Sequence, residues 1–256
     1  MKKVIIMTIF ILLGAASLIL PQSSNEILNE GINTLIQADN NVELSQYLKA
    51  RSLFERGLSI EPENNILKYY KAYCNYKICS IYSSKKGETV YIQYLDESIS
   101  LLKEIIKNDE SNSEAMALLA TCYGIKISSD WSLAQSLGAE SQKLLAMALQ
   151  ITPNNPRVLL QAGIPKLYTP EFFGGDKKAA VDFFKKSVES FKNGNDNSYR
   201  WGKMDAYAWL GIGLTALKDT TSAITVYNEA LTIEPNYSWI KYKLLPSIQK
   251  STYTNN

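Results

Sequence analysis

Three tyrosines and one arginine are the side chains whose types and spacing best suit chemistry here, and that chemistry is binding. Tyr69, Tyr73 and Tyr76 follow one another at intervals of four and three residues, which places them on one face of a helix. Binding surfaces concentrate aromatic rings and arginine, and Arg157 could pair with a carboxylate such as a peptide C-terminus or an acidic headgroup. The same tyrosines would also suit packing inside a helical array, and the spacing leaves both interpretations open.

The composition disfavours catalysis. The 256 residues include no histidine, which excludes a Ser-His-Asp triad, a Cys-His pair and a His-rich zinc site. An odd number of cysteines does not make a disulfide framework, and we expect Cys74, Cys79 and Cys122 to be buried apolar residues. The carboxylates are scattered, with no pair specific enough for acid–base catalysis. We therefore predict a protein that is not an enzyme, with no catalytic residue, metal site or cofactor.

The charge balance argues against nucleic acid as a partner. The chain has a formal net charge of +2, and Lys2 and Lys3 supply two of its 27 basic residues. The other basic residues are equal in number to the 25 acidic ones, so the body of the protein is neutral. A neutral body releases few counterions on meeting a phosphate backbone, which removes the main driving force for such binding.

Residues 1–24 have the form of a secretory signal peptide. Lys2 and Lys3 precede an apolar run that extends from residue 4 to residue 20, and polar residues follow at 22–24. The run is also at the short limit for a membrane-spanning helix, so a retained N-terminal anchor is the alternative. Either form predicts export to the periplasm or the extracytoplasmic face of the membrane. Membrane contact is expected only through an uncleaved N-terminus.

A repeated pattern predicts the elements that position the binding residues. Five segments align without gaps, each with a small residue first, a large apolar or aromatic residue four positions later and, in most, a small residue three positions after that. These spacings place the side chains on one helix face, and the small residues let a neighbouring helix approach closely. Three of the segments end in proline, which cannot continue a helix. The segments are residues 50–62, 98–110, 141–153, 180–192 and 223–235.

The helix before each segment carries the complementary half of a repeat, as Tyr207, Leu210, Gly211 and Leu214 show. The combined pattern resembles the tetratricopeptide-repeat (TPR) family over roughly residues 25–250. The resemblance implies an all-α fold, a right-handed α-solenoid of about five helix pairs with a C-terminal closing helix. The repeats are longer than the family unit, so we expect inserts, and we expect a disordered tail at residues 251–256. The inserts are predicted near residues 83–91, 128–137, 166–175 and 193–201.

The resemblance also implies which residues line the groove of the solenoid. In this family the first helix of each pair lines the concave face, and its second, fifth, ninth and twelfth positions usually point into the groove. This register places Tyr69, Tyr73 and Tyr76 in the groove from one repeat and Arg157 and Leu160 from another. It further predicts Ile66, Ile164 and, from the closing helix, Trp239 and Tyr242.

The most distinctive loop is the sequence LYTPEFFGGD at residues 167–176. Pro165 and Pro170 break the preceding helix. Phe172 and Phe173 then form either an apolar plug that folds back onto the solenoid or a ligand-contacting element at an opening of the groove. The loop is similar to part of the TatT family, periplasmic TPR components associated with tripartite TRAP transporters.

These features predict an exported scaffold that binds a protein or peptide in its concave groove. The TatT resemblance implies an alternative, a periplasmic carrier or transporter-associated component that binds a small apolar or acidic ligand, with an envelope transporter component as a possible partner. If Tyr73 and Arg157 form the contact surface, changing both to alanine should abolish partner binding. The change should barely affect stability, because truncating exposed side chains usually changes it by less than about 0.5 kcal/mol.

Overall fold

The computed structural model of the protein describes residues 23–82, 91–195 and 199–254. These residues form helices joined by turns, and there is no β-strand among them. The predicted signal peptide or anchor at residues 1–24 lies outside the described residues except for Ser23 and Ser24, as does most of the predicted insert at residues 83–91. None of the described helices is both long and apolar enough to cross a membrane.

Eleven α-helices follow one another along the described residues. They are α1 (Ser24–Asn41), α2 (Leu44–Ile60), α3 (Asn65–Tyr82), α4 (Tyr91–Asn108), α5 (Ser113–Ser129), α6 (Ala134–Ile151), α7 (Pro156–Tyr168), α8 (Lys177–Lys192), α9 (Lys203–Ala216), α10 (Thr220–Ile233) and α11 (Leu245–Thr254). Short 3-10 turns occur at Trp131–Leu133 and Glu171–Phe173, and a π turn at Ile240–Leu244 leads into α11. Helix α11 extends four residues into the segment predicted as a tail.

The helices pack as five antiparallel pairs and a closing helix, which confirms the predicted architecture. The pairs are α1–α2, α3–α4, α5–α6, α7–α8 and α9–α10, and each pair packs against the next. All five aligned segments lie in the second helix of a pair or run just beyond its end. Polar caps set several helix starts, as at Asn155, whose side chain accepts hydrogen bonds from the backbone N–H groups of Arg157 and Val158.

Small residues allow the close packing within each pair. A Cβ atom at Gly211 of α9 would overlap the Tyr227 ring of α10, and one at Gly163 of α7 would overlap the Phe184 ring of α8. Gly57 likewise faces the side chain of Leu67 in the next pair. The expectation that small residues face neighbouring helices is therefore confirmed. It follows that the large residue of one helix and the small residue of its partner are packed as a unit.

The solenoid curves enough to bring its first and fifth pairs together. The side-chain amide of Asn40, at the end of α1, donates a hydrogen bond to Glu234, just after α10, at 3.3 Å. One continuous apolar core extends from α1 to α11, and the concave face of the first helices forms part of it. Cys74, Cys79 and Cys122 are buried in this core, as predicted.

Candidate partner-binding groove

A short segment of the chain itself fills the face lined by the first helices. Residues 199–202, here called the groove segment, lie between α8 and α9. The ring of Tyr199 stacks on Tyr69 with the ring centres 3.6 Å apart. The ring of Trp201 stacks on Tyr73 with the centres 4.2 Å apart. Only 7% of Tyr199 and 6% of Trp201 remain exposed, so both rings are part of the core.

The backbone of the groove segment is held as specifically as its rings. The N–H of Arg200 donates a hydrogen bond to the Tyr70 hydroxyl at 3.0 Å, and Nε of Arg157 donates one to the Trp201 carbonyl at 2.9 Å. Gly202 ends the segment with a φ of 97°, a conformation that glycine adopts without a steric penalty. The side chain of Arg200 is exposed, so residues 199 and 201 point into the groove while residue 200 points out.

Arg157 is the charged centre of the groove. Only 1% of it is exposed, and its Nη1 lies 3.5 Å from Oε1 of Glu114, which is also buried. The side-chain amide of Asn155 donates a hydrogen bond to the same Glu114 oxygen at 2.6 Å. The guanidinium lies between two rings, 5.5 Å from the centre of Phe191 and 5.7 Å from that of Trp201. Arg157 is therefore both an ion-pair partner and a packing element for the groove segment.

An ionic cluster joins three helix pairs beside the groove segment. Nζ of Lys77 lies 3.1 Å from Oδ2 of Asp205 and 3.4 Å from Oδ1 of Asp39. The Tyr73 hydroxyl lies 3.3 Å from a carboxylate oxygen of each aspartate. Because Asp39 is in α1, Lys77 in α3 and Asp205 in α9, the cluster connects the first, second and fifth pairs.

Two further tyrosines complete this cluster. The Tyr47 hydroxyl donates to Asp39 at 2.7 Å, and the Tyr237 hydroxyl donates to Asp205 at 2.8 Å. A cleft of about 250 Å³ opens beside the cluster, lined in part by Asp39, Trp201 and Tyr237. Burial raises the pKa of the Asp39 carboxyl from 3.8 to about 6, against the opposing effect of Lys77 and with a smaller contribution from Asp205.

Comparison with known proteins agrees with this architecture. Residues 205–237, which cover α9 and α10, match the tetratricopeptide-repeat family. The fold is a TPR solenoid. The HusA haemophore from Porphyromonas gingivalis is similar, with 25% sequence identity over 76% of this chain and 94% of that one, and a TM-score of 0.63. A thermophilic TPR protein from Thermus thermophilus, TTC0263, has a TM-score of 0.65 at 15% identity, over 89% of this chain and 99% of that one, which shows the fold alone. No curated protein matches the sequence.

The TPR register identifies two groove residues that the sequence analysis missed, Glu114 and Asp205. Arg157 lies six residues before the small packing residue of its helix, Gly163. Glu114 and Asp205 occupy the same position in α5 and α9, and all three are buried. Applying the register to every repeat would have found these three residues, whose charges alternate in sign from the third pair to the fifth. Tyr199 and Trp201 were also missed, although the predicted insert at residues 193–201 contained both, because the register describes helices and the groove segment is not helical.

The structure divides the predicted binding residues into two groups. Tyr69, Tyr73, Tyr76, Arg157 and Leu160 are buried, and Tyr69, Tyr73 and Arg157 together hold the groove segment. Four others lie at or near the surface. They are Phe172, Phe173 and Tyr242, which are exposed, and Trp239, which is half-buried.

Burial changes the expectation for the double variant of Tyr73 and Arg157. The sequence analysis expected exposed side chains whose loss would barely affect stability, but neither residue is more than 1% exposed. The groove segment covers them, and burial raises the pKa of Tyr73 well above its ordinary value, so that its hydroxyl stays neutral. Truncating both residues would therefore destabilise the fold, and other variants are needed to test binding.

The loop at residues 167–176 holds its phenylalanines outward. Phe172 is 92% exposed and packs against Phe173, whose ring centre lies 6.3 Å from that of Trp131. The loop is fixed by its backbone, because the N–H of Asp176 donates to the Lys166 carbonyl at 2.8 Å. Phe172 therefore points away from the solenoid while Phe173 contacts it through Trp131, and the loop presents a fixed apolar surface.

Because the pKa of Asp39 is raised, we expect the free energy of unfolding to depend on pH. The folded protein holds a proton on Asp39 up to about pH 6, whereas an unfolded chain releases it near pH 4. The contribution of Asp39 to the free energy of unfolding should therefore rise as the pH falls from about 7 to about 4, by at most about 3 kcal/mol. Glu97 acts in the opposite direction, because despite burial, which opposes ionisation, hydrogen bonds from Lys71 and Arg51 lower its pKa to about 2. Urea unfolding measured at several pH values should therefore show that the stability of the wild type rises relative to that of Asp39→Asn as the pH falls. The exposed Asp182→Asn variant is the control and should follow the wild type; equal pH dependence of the wild type and Asp39→Asn would contradict the assignment.

Proposed function

We propose that this protein is a scaffold that binds an extended segment of a partner protein in the concave groove of its TPR solenoid. The observation that carries the proposal is the groove segment, since the groove already accommodates a short non-helical stretch of chain. It supplies stacking surfaces for two side chains and hydrogen bonds for the backbone between them. Recognition of both side chains and backbone is how proteins bind extended peptides.

We further propose that the scaffold acts outside the cytoplasm. The support is the charged start and the apolar run of residues 2–20, which precede the first described helix. Fractionation of the native host should find the protein in the envelope or periplasm, and its intact mass should show loss of the first 16–24 residues if the signal is cleaved. A full-length protein in the cytosol would refute this. A transporter component is one candidate partner, by the resemblance of the loop to TatT proteins.

A random-peptide display selection, followed by photo-crosslinking, tests the groove. We expect wild-type protein to enrich peptides that share a sequence pattern. A photo-crosslinking residue in place of the exposed Lys203, which lines the cleft beside the groove segment, should capture those peptides. The same residue in place of the exposed Lys107, at the end of α4, should not. If the selection yields no shared pattern, or if capture is equal at both positions, the groove is not the binding site.

A second candidate is a carrier of a planar apolar or acidic ligand. The observation that favours it is the similarity to a protein described as a haemophore, together with the tyrosine rings that stack on flat partners in the groove. The chain has no histidine, and burial keeps the hydroxyls of Tyr69 and Tyr73 neutral. A porphyrin would therefore be recognised through its flat ring and not through coordination of its iron. Absorption titrations should then give similar affinities for haemin and for iron-free protoporphyrin. An absence of binding to both would exclude this candidate.

A further inference from the structure

We propose that the groove segment is an internal ligand, and that the groove selects partner segments with aromatic side chains two residues apart. The proposal rests on the proposed function and adds the chemistry of the partner and a means of regulation. In the free protein, residues 199–202 occupy the groove. A partner segment would bind by displacing these residues.

The spacing of the buried rings defines the expected partner. The chain bends at Arg200, and the residues on either side of it share one face. The rings of Tyr199 and Trp201 are both buried, and Arg200 is exposed between them. The tyrosines that receive them, Tyr69 and Tyr73, are one helical turn apart on α3. The groove is thus matched to two rings at this spacing, and the residue between them can vary.

The backbone contacts are independent of the partner's sequence. The Tyr70 hydroxyl accepts from the N–H of the residue between the two rings, and Arg157 donates to the carbonyl of the second. Any extended chain carries these groups in the same order. A partner segment that runs in the same direction as residues 199–202 could therefore make the same two hydrogen bonds.

The solenoid has its own contacts that do not require the groove segment. Helix α8 packs directly against α9, and α7 also contacts α9. Gly202, with a φ of 97°, joins the groove segment to α9. Glycine changes such backbone angles without a Cβ clash, so the segment can leave the groove by rotation at Gly202 while the helix pairs remain packed.

Intramolecular competition gives a measurable consequence. A tethered ligand acts at an effective concentration on the order of millimolar, so a free peptide competes poorly until the tethered segment is weakened. A fluorescent, capped peptide of residues 199–205 (YRWGKMD) should bind the Tyr199→Ala plus Trp201→Ala variant at least about tenfold more tightly than the wild type. Fluorescence anisotropy measures both affinities, and circular dichroism confirms that each protein is helical.

A second variant keeps the test valid if the double variant fails to fold. Gly202→Ala leaves every ring in place but strains the docked backbone, because its Cβ would lie 3.2 Å from Phe191 at a φ of 97°. It should bind the peptide severalfold more tightly than the wild type. The matched control is Gly124→Ala, within α5, where a Cβ has no neighbour within 4 Å. This control should bind the peptide as the wild type does.

Peptide controls separate the possible outcomes. A peptide with alanine at both aromatic positions, and one with its two rings on adjacent residues, should bind at least about tenfold more weakly than YRWGKMD. The proposal is overturned if folded variants bind no better than the wild type, or if the control peptides bind equally well. If display-selected peptides still crosslink at position 203 but lack the paired rings, the groove remains the binding site and only the internal-ligand proposal fails.

Discussion

Replacing Arg157 with alanine is expected to lower the free energy of unfolding by about 3–5 kcal/mol, because it leaves the charge of Glu114 buried without its cationic partner. The change also removes the hydrogen bond to the Trp201 carbonyl and the packing between the rings of Phe191 and Trp201. Urea unfolding followed by circular dichroism measures the effect. The matched control is Arg200→Ala, which removes an exposed arginine side chain and should change stability by less than about 0.5 kcal/mol.

A second substitution identifies the cause of that loss. Adding Glu114→Gln to the Arg157→Ala variant removes the charge that Arg157 neutralises in the wild type while keeping an oxygen that can accept the hydrogen bond from Asn155. The double variant should therefore be more stable than Arg157→Ala alone by at least about 1 kcal/mol. If Arg157→Ala costs less than about 1 kcal/mol, or if neutralising Glu114 restores nothing, the ion pair does not hold the groove together.

Replacing Phe184 with alanine is expected to lower the free energy of unfolding by about 3–5 kcal/mol. Its ring is fully buried and packs into the space left by Gly163 of α7. The ring also stacks on Trp209 of α9, with the ring centres 6.1 Å apart. Deleting the ring leaves a cavity between α7, α8 and α9, and the surrounding packed side chains can fill such a cavity only in part. Thermal and chemical unfolding should both show the loss.

Phe172→Ala is the control, because it deletes the same ring from a position that is 92% exposed. Its stability should stay within about 0.5 kcal/mol of the wild type. The control also separates binding from folding at the loop, since any loss of partner binding in this variant would then be due to contact and not to unfolding. An equal loss of stability in both variants would show that the loop is part of the core.

The spacing of residues within each repeat was sufficient to predict the architecture. The five segments repeat the same residues at intervals of four and three, and such intervals fix which face of a helix packs. Glycines at 163 and 211 then have to face large rings in their partner helices, because only a residue without Cβ permits that approach. The number of pairs, the closing helix and the second-helix location of the segments were therefore predictable from the sequence.

The sequence alone also determined the tyrosine stripe of α3 and the position of Arg157, but only the tertiary structure decided whether these residues face solvent. Periodicity specifies a helix face and carries no information about what covers it. Tyr73 meets Trp201, 128 positions further along the chain, because the solenoid curves and the groove segment lies against its concave face. The joining of Asp39, Lys77 and Asp205 has the same origin, since curvature is the sum of small rotations between repeats and no single repeat encodes it.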